Sequence, residues 1–394
     1  MKRAFLSALL VISGFFSASY AAEIEPAKSP YASWKNGVPA RADFFPIAVW
    51  LQSPANAAKY KAAGINTYVA LWKGPTEDQL AELKKQGMRV ICSQNAVGLK
   101  HLDDETVIGW MHGDEPDNAQ SLPGGKGYGP PIEPSKIIDD YRRIQKADPS
   151  RPILLNLGQG VAWDKWYGRG VRTNHPEDYA EYMKGSDIVS YDIYPACHEH
   201  RDVAGKLWMV ADGVSRLRKW SEDRKVVWNC IECTYISNPK ARATPQQVRA
   251  EVWMSLIRGS RGLIYFVHQF KPKFIEAGLL ADEEMLAKVT ATNRQIQKLA
   301  PMLNSPSVQD VLAVKSSVEE VPVEAMMKRH EGSIYVFAVG MREGKTSSTF
   351  TLSGLKGRTK VEVIDEDRTL EMRDGRFEDR FDAWDAHLYR IEAK

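Results

Sequence analysis

Short apolar runs alternate with helix-patterned stretches eight times along this chain, and no other feature constrains its fold as tightly. Residues 44–50 read as a buried strand, followed by a short helix over 55–63 that Gly64 closes. A strand over 65–71 leads to a helix over 77–86, capped by Thr76 and stopped at Gly87. Strands at 88–93 and 107–111 follow, then a Gly/Pro-rich loop over 117–134 and a helix over 135–147. The pattern continues with strands at 152–157, 187–194, 225–232 and 262–267. Between them lie helices at 176–184, about 207–221 and 244–258, and a last helix runs over 282–299.

Continuous apolar strands, rather than alternating ones, are buried on both faces, as in a parallel sheet covered by helices. Eight units over about 260 residues predict a closed (β/α)8 TIM barrel of class α/β. An open doubly wound sheet would carry a Gly-rich phosphate loop after its first strand, and Leu51-Gln52-Ser53-Pro54 is not one. Past Pro306 the texture changes to alternating segments at 333–339, 349–352, 359–364 and 386–391, separated by Gly, Asp and Lys turns. These predict a small C-terminal antiparallel β-sandwich that buttresses the barrel. The expected organisation is a signal peptide at 1–22, a polar lead-in at 23–42, the barrel at 43–304 and the β-sandwich at 305–394.

Lys2 and Arg3 precede an apolar run over 4–16 and then small residues, the pattern of a secretory signal peptide. The apolar core is shorter than the roughly 18 residues of a spanning helix. The expected localisation is therefore secreted or periplasmic, with no membrane span in the mature chain. A formal net charge of +3, without a basic block interleaved with aromatics, argues against a nucleic-acid partner. Four cysteines are too few for a disulfide scaffold. The C-x-x-C at 230–233 has no second pair to complete a zinc site, so neither metal nor cofactor is expected.

In such a barrel the chemistry sits where the strands end. In chain order those ends carry Trp50 and Gln52, Trp72, Gln94 and Asn95, His112, Asp114 and Glu115, Asn156, Asp192 and Tyr194, Glu232, and His268 and Gln269. Glu115 and Glu232 follow the fourth and seventh strands directly, across the mouth from one another. Paired carboxyls suit glycosidic cleavage: one protonates the leaving oxygen while the other attacks the anomeric carbon or positions water. Trp72, Trp163, Trp166 and Phe270 offer stacking faces for sugar rings. Gln52, Asn95, Asn156, Asp192 and His268 offer hydroxyl partners. Cys197 and Cys233 follow adjacent strands, where a disulfide would brace the loop beside Glu232.

These strand ends resemble the clan A glycoside hydrolases, the retaining (β/α)8 enzymes, and the resemblance spans nearly the whole barrel. It implies that Glu115 is the acid/base, Glu232 the nucleophile and Tyr194 a hydrogen-bonding partner of that nucleophile. The clan usually has Asn before its acid/base, and here that residue is Asp114, which can accept from a sugar hydroxyl but not donate. As a neighbouring like charge it would raise the pKa of Glu115. The implied function is exported, retaining hydrolysis of a β-linked poly- or oligosaccharide, with carbohydrate as the partner. The alternatives are a non-catalytic carbohydrate-binding barrel and a metal-dependent barrel hydrolase. The latter needs a His-x-His on its first strand that residues 44–50 lack.

Overall fold

The computed structural model describes residues 29–392, so the expected signal peptide lies outside the described residues. Strands β1 (Ile47–Trp50), β2 (Thr67–Val69), β3 (Arg89–Ser93), β4 (Val107–Met111), β5 (Ile153–Leu157) and β6 (Ile188–Tyr191) pair in parallel in chain order. The seventh strand is split at Trp228. Its first part, β7 (Val226–Val227), pairs with β6, and its second, β8 (Asn229–Glu232), pairs with β9 (Leu263–Phe266), which returns to β1. The strand thus changes partner at Trp228 and closes the barrel there. Gly262 stands opposite because a Cβ at that position would come within 2.6 Å of the Trp228 indole.

One hydrophobic cluster fills the barrel with Ala48, Val69, Ile91, Ile108, Leu154, Ile188, Cys230 and Ile264. The lead-in, expected to be polar, joins that core through Tyr31 and Val38. The Tyr31 hydroxyl donates to the Arg261 carbonyl at 2.8 Å and accepts from the Trp228 indole N–H at 2.8 Å. A second cluster lies between the strands and the helices. The helices are α1 (Ala57–Ala62), α2 (Glu77–Lys85), α3 (Pro134–Ala147), α4 (Asp178–Tyr182), α5 (Met209–Trp220), α6 (Pro245–Ile257), α7 (Glu283–Lys298) and α8 (Ala300–Asn304). Thr76 and Thr244 each close a capping box, which fixes where α2 and α6 begin. The eight-unit pattern is incomplete at one place, because a single 3-10 turn over Gly98–His101 links β3 to β4 instead of an α-helix.

The C-terminal strands β10 (Leu312–Ser316), β11 (Val323–His330), β12 (Ser333–Gly340), β13 (Thr346–Leu352), β14 (Arg358–Val363), β15 (Arg368–Arg373), β16 (Arg376–Phe381) and β17 (Ala386–Glu392) form one antiparallel sheet. Its order is β10-β13-β16-β15-β14-β17-β12-β11. The Val323 amide donates to Ser316 Oγ at 2.9 Å, so the outermost strands meet and the sheet folds over on itself as the expected sandwich. Its core holds Val336, Phe350, Val361, Phe377 and Tyr389, with the Phe350 and Phe377 rings stacked at 4.7 Å.

Helix α6 carries apolar residues on all sides, as a helix must when both faces are covered. Val248, Ala250, Val252, Trp253, Met254 and Leu256 are all buried. One side meets the barrel and the other meets the sandwich, where Trp253 stacks on Phe337 at 5.3 Å and Arg249 donates to the Ala386 carbonyl at 3.2 Å.

Tyr191, the last residue of β6, reaches under α5 and donates to the carbonyls of Met209 and Val210 at 3.0 and 2.6 Å. Gly213 makes room for its ring. Replacing a helical Gly by Ala ordinarily gains about 1 kcal/mol. At this position the added methyl collides with the Tyr191 ring, and overpacking costs about 1–3 kcal/mol. Gly213→Ala is therefore expected to lower the midpoint of chemical denaturation. A raised midpoint would show that β6 is not held by this contact.

Candidate active site

Adjacent parallel strands run the same way, so β4, β5 and β6 deliver the residues beyond their carboxyl ends to one stretch of rim. Asp114 and Glu115 follow β4, Asn156 lies in β5, and Asp192 and Tyr194 follow β6. The fully buried Asn156 ties these together. Its Nδ2 donates to Asp114 Oδ1 at 2.9 Å and to Asp192 Oδ1 at 3.3 Å, while its Oδ1 accepts from Ser190 Oγ at 2.7 Å. Two carboxylates reached by one amide nitrogen have those oxygens no more than about 6 Å apart, twice a hydrogen-bond length.

Glu115 adopts a φ of 42°, in the left-handed region that a residue with a Cβ rarely occupies. Its amide donates to the Asn156 carbonyl at 3.2 Å. Asn118 Nδ2 donates to Glu115 Oε2 at 2.8 Å, and Asn118 Oδ1 accepts from the Trp166 indole N–H at 2.8 Å. Gly158 permits this packing, since a Cβ there would lie 2.8 Å from the Asn118 amide group. Below it, Asp117 is buried and accepts from the Gly158 amide and the Tyr179 hydroxyl, each at 2.9 Å.

Burial holds the Glu115 carboxyl well above the usual glutamate range, and the charges of Asp192, Asp114 and Asp117 push it further the same way. Asp192 is pushed up to about 7, by burial first and then by Asp114. The Tyr194 hydroxyl lies beside Asp192, shielded from solvent, where it favours the carboxylate, while its ring packs on Phe266 at 5.1 Å. The cluster can therefore hold a proton near neutral pH, bind a hydroxyl and stabilise a carboxylate.

Glu232, expected across the mouth, is closed off instead. It is fully buried, with Oε1 accepting from the Ala196 amide at 2.6 Å and Oε2 from the Cys197 amide at 2.9 Å. The structure does not bring it together with Glu115 in an open cavity. Several expected sugar contacts are also already engaged. Gln52 donates to the Glu276 carbonyl at 2.9 Å, accepts from the Tyr60 hydroxyl at 2.6 Å and lies 3.2 Å from His268 Nε2. Asn95 ties its loop to the one after β2 through the Pro75 carbonyl and braces its own turn through the Gly98 amide. His112 Nε2 lies 2.8 Å from the Gly185 carbonyl, away from the cluster. Trp163 is buried among Trp166, Tyr167, His198 and His200. Trp72 is the most open of the expected stacking faces, at 68% exposure. Phe270 and Phe274 are also exposed and stack near His268.

The Cys197–Cys233 disulfide is not formed, and all four cysteines are free. The Cys197 thiol turns to the Tyr194 carbonyl at 3.8 Å and the Cys233 thiol to the Phe266 carbonyl at 3.5 Å, so each already has its own acceptor. Among the described residues no group of three or more His, Cys, Asp or Glu side chains is placed to hold a metal ion.

Asn118 and Glu251 were not among the expected residues. Nothing local marks Asn118, whose partner Trp166 is 48 positions away. Glu251 carried a signal, being an acidic residue inside the apolar run 248–256 of a helix apolar on every side.

The chain is a (β/α)8 barrel with an antiparallel C-terminal β-domain and a carboxyl cluster at its carboxyl-end rim. Solved structures share this fold. AmyP in complex with maltotriose is 8% identical, covering 89% of this chain and 97% of its own, with a TM-score of 0.54. An Anoxybacillus α-amylase described as a new glycosyl hydrolase subclass is 10% identical, covering 90% and 99%, with a TM-score of 0.52. A maltogenic α-amylase, AmyB from Thermotoga neapolitana, is likewise 10% identical at 90% and 99%, with a TM-score of 0.52. No family profile and no curated protein sequence matches the chain.

Asp192 gives a test that needs no substrate. Its folded pKa, about 7, stands above the ordinary 3.8, so the folded state binds this proton more tightly than the unfolded state. The resulting stabilisation is complete below the ordinary pKa and is lost as pH rises through about 7. Asp192→Asn removes that loss, so its melting temperature relative to the native protein is expected to rise between about pH 5 and pH 8. A difference independent of pH would mean that Asp192 titrates normally.

Proposed function

We propose that the protein is an exported glycoside hydrolase acting on a poly- or oligosaccharide. The observation that carries this reading is the crowding of Asp114, Glu115 and Asp192 around Asn156 at the barrel rim. Glu115, held protonated by burial and by its neighbours, is the general acid that gives a proton to the departing glycosidic oxygen. Asp192 is the carboxylate that attacks the anomeric carbon, with the Asn156 amide and the Tyr194 hydroxyl placed to stabilise its charge. Asp114, open to solvent, accepts from a sugar hydroxyl and raises the proton affinity of both partners.

The expected nucleophile, Glu232, would have to leave two backbone amides and a buried site to reach a sugar, whereas Asp192 already faces the cluster. A carboxyl separation near 5 Å favours a covalent intermediate and retention, and a wider gap favours inversion through water. Among its neighbours Asp192 is the charge that most raises the proton affinity of Glu115, so the proposed acid and nucleophile share one stretch of rim, which supports the retaining mechanism. The resemblance to clan A supports a β-linked substrate. The maltotriose in AmyP and the α-amylases of like fold place α-glucans beside it as the substrates to compare. The pattern at residues 1–22 supports export.

A hydrolysis panel of α- and β-linked glucans, galactans, mannans and xylans, with product lengths read out, tests the reading. Binding without cleavage of any of them would overturn it in favour of a carbohydrate-binding barrel. On a cleaved substrate, Glu115→Gln is expected to lower kcat by about 10²–10⁴-fold, and much less on an aryl glycoside whose leaving group needs no proton. Asp192→Gly is expected to abolish turnover and to recover it with azide. Azide rescue of Glu232→Gly, with Asp192→Gly unrescued, would return the nucleophile role to Glu232.

A further inference from the structure

Glu251 lies in the middle of α6 with no exposure, and neither of its oxygens has an N–H or O–H donor within reach. It faces Glu232, which is equally buried. Among the described residues no cation offsets the pair. The titratable groups around it are the thiols of Cys197 and Cys233 and the phenol of Tyr191. Two apposed carboxyl groups in such a place cannot both be ionised.

The hydrogen bonds decide which one carries the proton. Glu232 accepts from two backbone amides, an arrangement that favours the carboxylate. Glu251 accepts from nothing, so its unmet need is an acceptor for its own hydroxyl, and the Glu232 carboxylate is that acceptor. Burial and the Glu232 charge both hold the Glu251 proton on well above the usual glutamate range.

What Glu232 grips is the turn that continues directly from the proposed reacting residues. Ala196 and Cys197 follow Asp192, Ile193, Tyr194 and Pro195. The same turn is tied on its other side by Asn238 Nδ2, which donates to the Cys197 carbonyl at 2.9 Å, and by the Gly205 amide, which donates to the Pro195 carbonyl at 2.8 Å. The outer side of α6 is pinned by the sandwich through Trp253 and Arg249.

We propose that Glu251 is a positioning residue that hydrogen-bonds Glu232 and thereby holds it as a clamp on the Ala196–Cys197 amides, fixing Asp192 and Tyr194 at the rim. The role in turnover rests on the glycosidase reading above, whereas the clamp itself does not. Glutamine at 251 keeps a donor for Glu232, and leucine removes it while filling similar space.

Hydrogen exchange of peptides covering residues 194–201 in the full-length protein tests the clamp. The native protein and Glu251→Gln are expected to protect the Ala196 and Cys197 amides. Glu251→Leu is expected to speed their exchange by about tenfold or more while strands β1 to β5 keep their protection. Glu232→Gln gives the same test should Glu251→Leu not fold, because one face of a carboxamide repels an amide donor. On any glycan the native protein cleaves, Glu251→Leu lowers kcat with KM little changed, and Glu251→Gln restores it. Native-like exchange in both Glu251→Leu and Glu232→Gln, or equal damage from Glu251→Gln and Glu251→Leu, overturns the proposal. Accelerated exchange in a protein that cleaves nothing on the panel leaves the clamp standing and overturns the glycosidase reading alone.

Discussion

Three carboxyl groups at one rim cannot all be charged, and much of the surrounding structure holds them there in spite of that. Asp114, Glu115 and Asp192 raise one another's proton affinity, and desolvation does so more strongly still. Left to relax, such groups would turn outward into water. Asn156 prevents this on one side by donating to two of them, and Ser190 in turn orients Asn156. Asn118 prevents it on the other side by gripping Glu115, with Trp166 and Gly158 fixing Asn118. The left-handed backbone at Glu115 is a further cost carried at the same point, and strain of this kind persists only where neighbours over-determine the geometry.

The support extends well beyond the rim. The turn after Tyr194 is held by Glu232, Glu232 is backed by Glu251, and Glu251 belongs to a helix enclosed between barrel and sandwich. A helix with water on one side could let a buried carboxyl swing out, whereas α6 has no such side along most of its length. The sandwich therefore acts on the site without touching it, by removing the freedom of the helix behind the seventh strand.

Much of this architecture was legible from residue patterns alone. The strand runs, the capping threonines of α2 and α6, and the change of texture past Pro306 each come from local rules that the folded chain obeys. The strand-end inventory named Asp114, Glu115, Asn156, Asp192 and Tyr194, which do meet. The direction of the Glu232 side chain was not legible, because it is the last residue of β8, beyond the alternation that puts Cys230 in the barrel and Ile231 among the helices. Gln52 and Asn95 show a second limit. An amide at a strand end can satisfy a sugar or a neighbouring loop, and only the folded partner, here Glu276 and Pro75, tells which.

Barrels of this kind host many reactions, so the chemistry has to be argued from spacing at the rim rather than from the fold. Strands four and six are separated by one strand, about 10 Å in all at the usual 4.8 Å interval. Side chains leaning inward from both can close that gap to a span that a single amide on the intervening strand can bridge, which is the part Asn156 plays. Strands four and seven are separated by two, and no single side chain from between them could tie both carboxyls. A rim built on strands four and six thus brings Asp114 and Asp192 close and couples their titration to that of Glu115. Such coupling keeps a proton on the cluster near neutral pH, which is what a general acid standing beside a carboxylate requires.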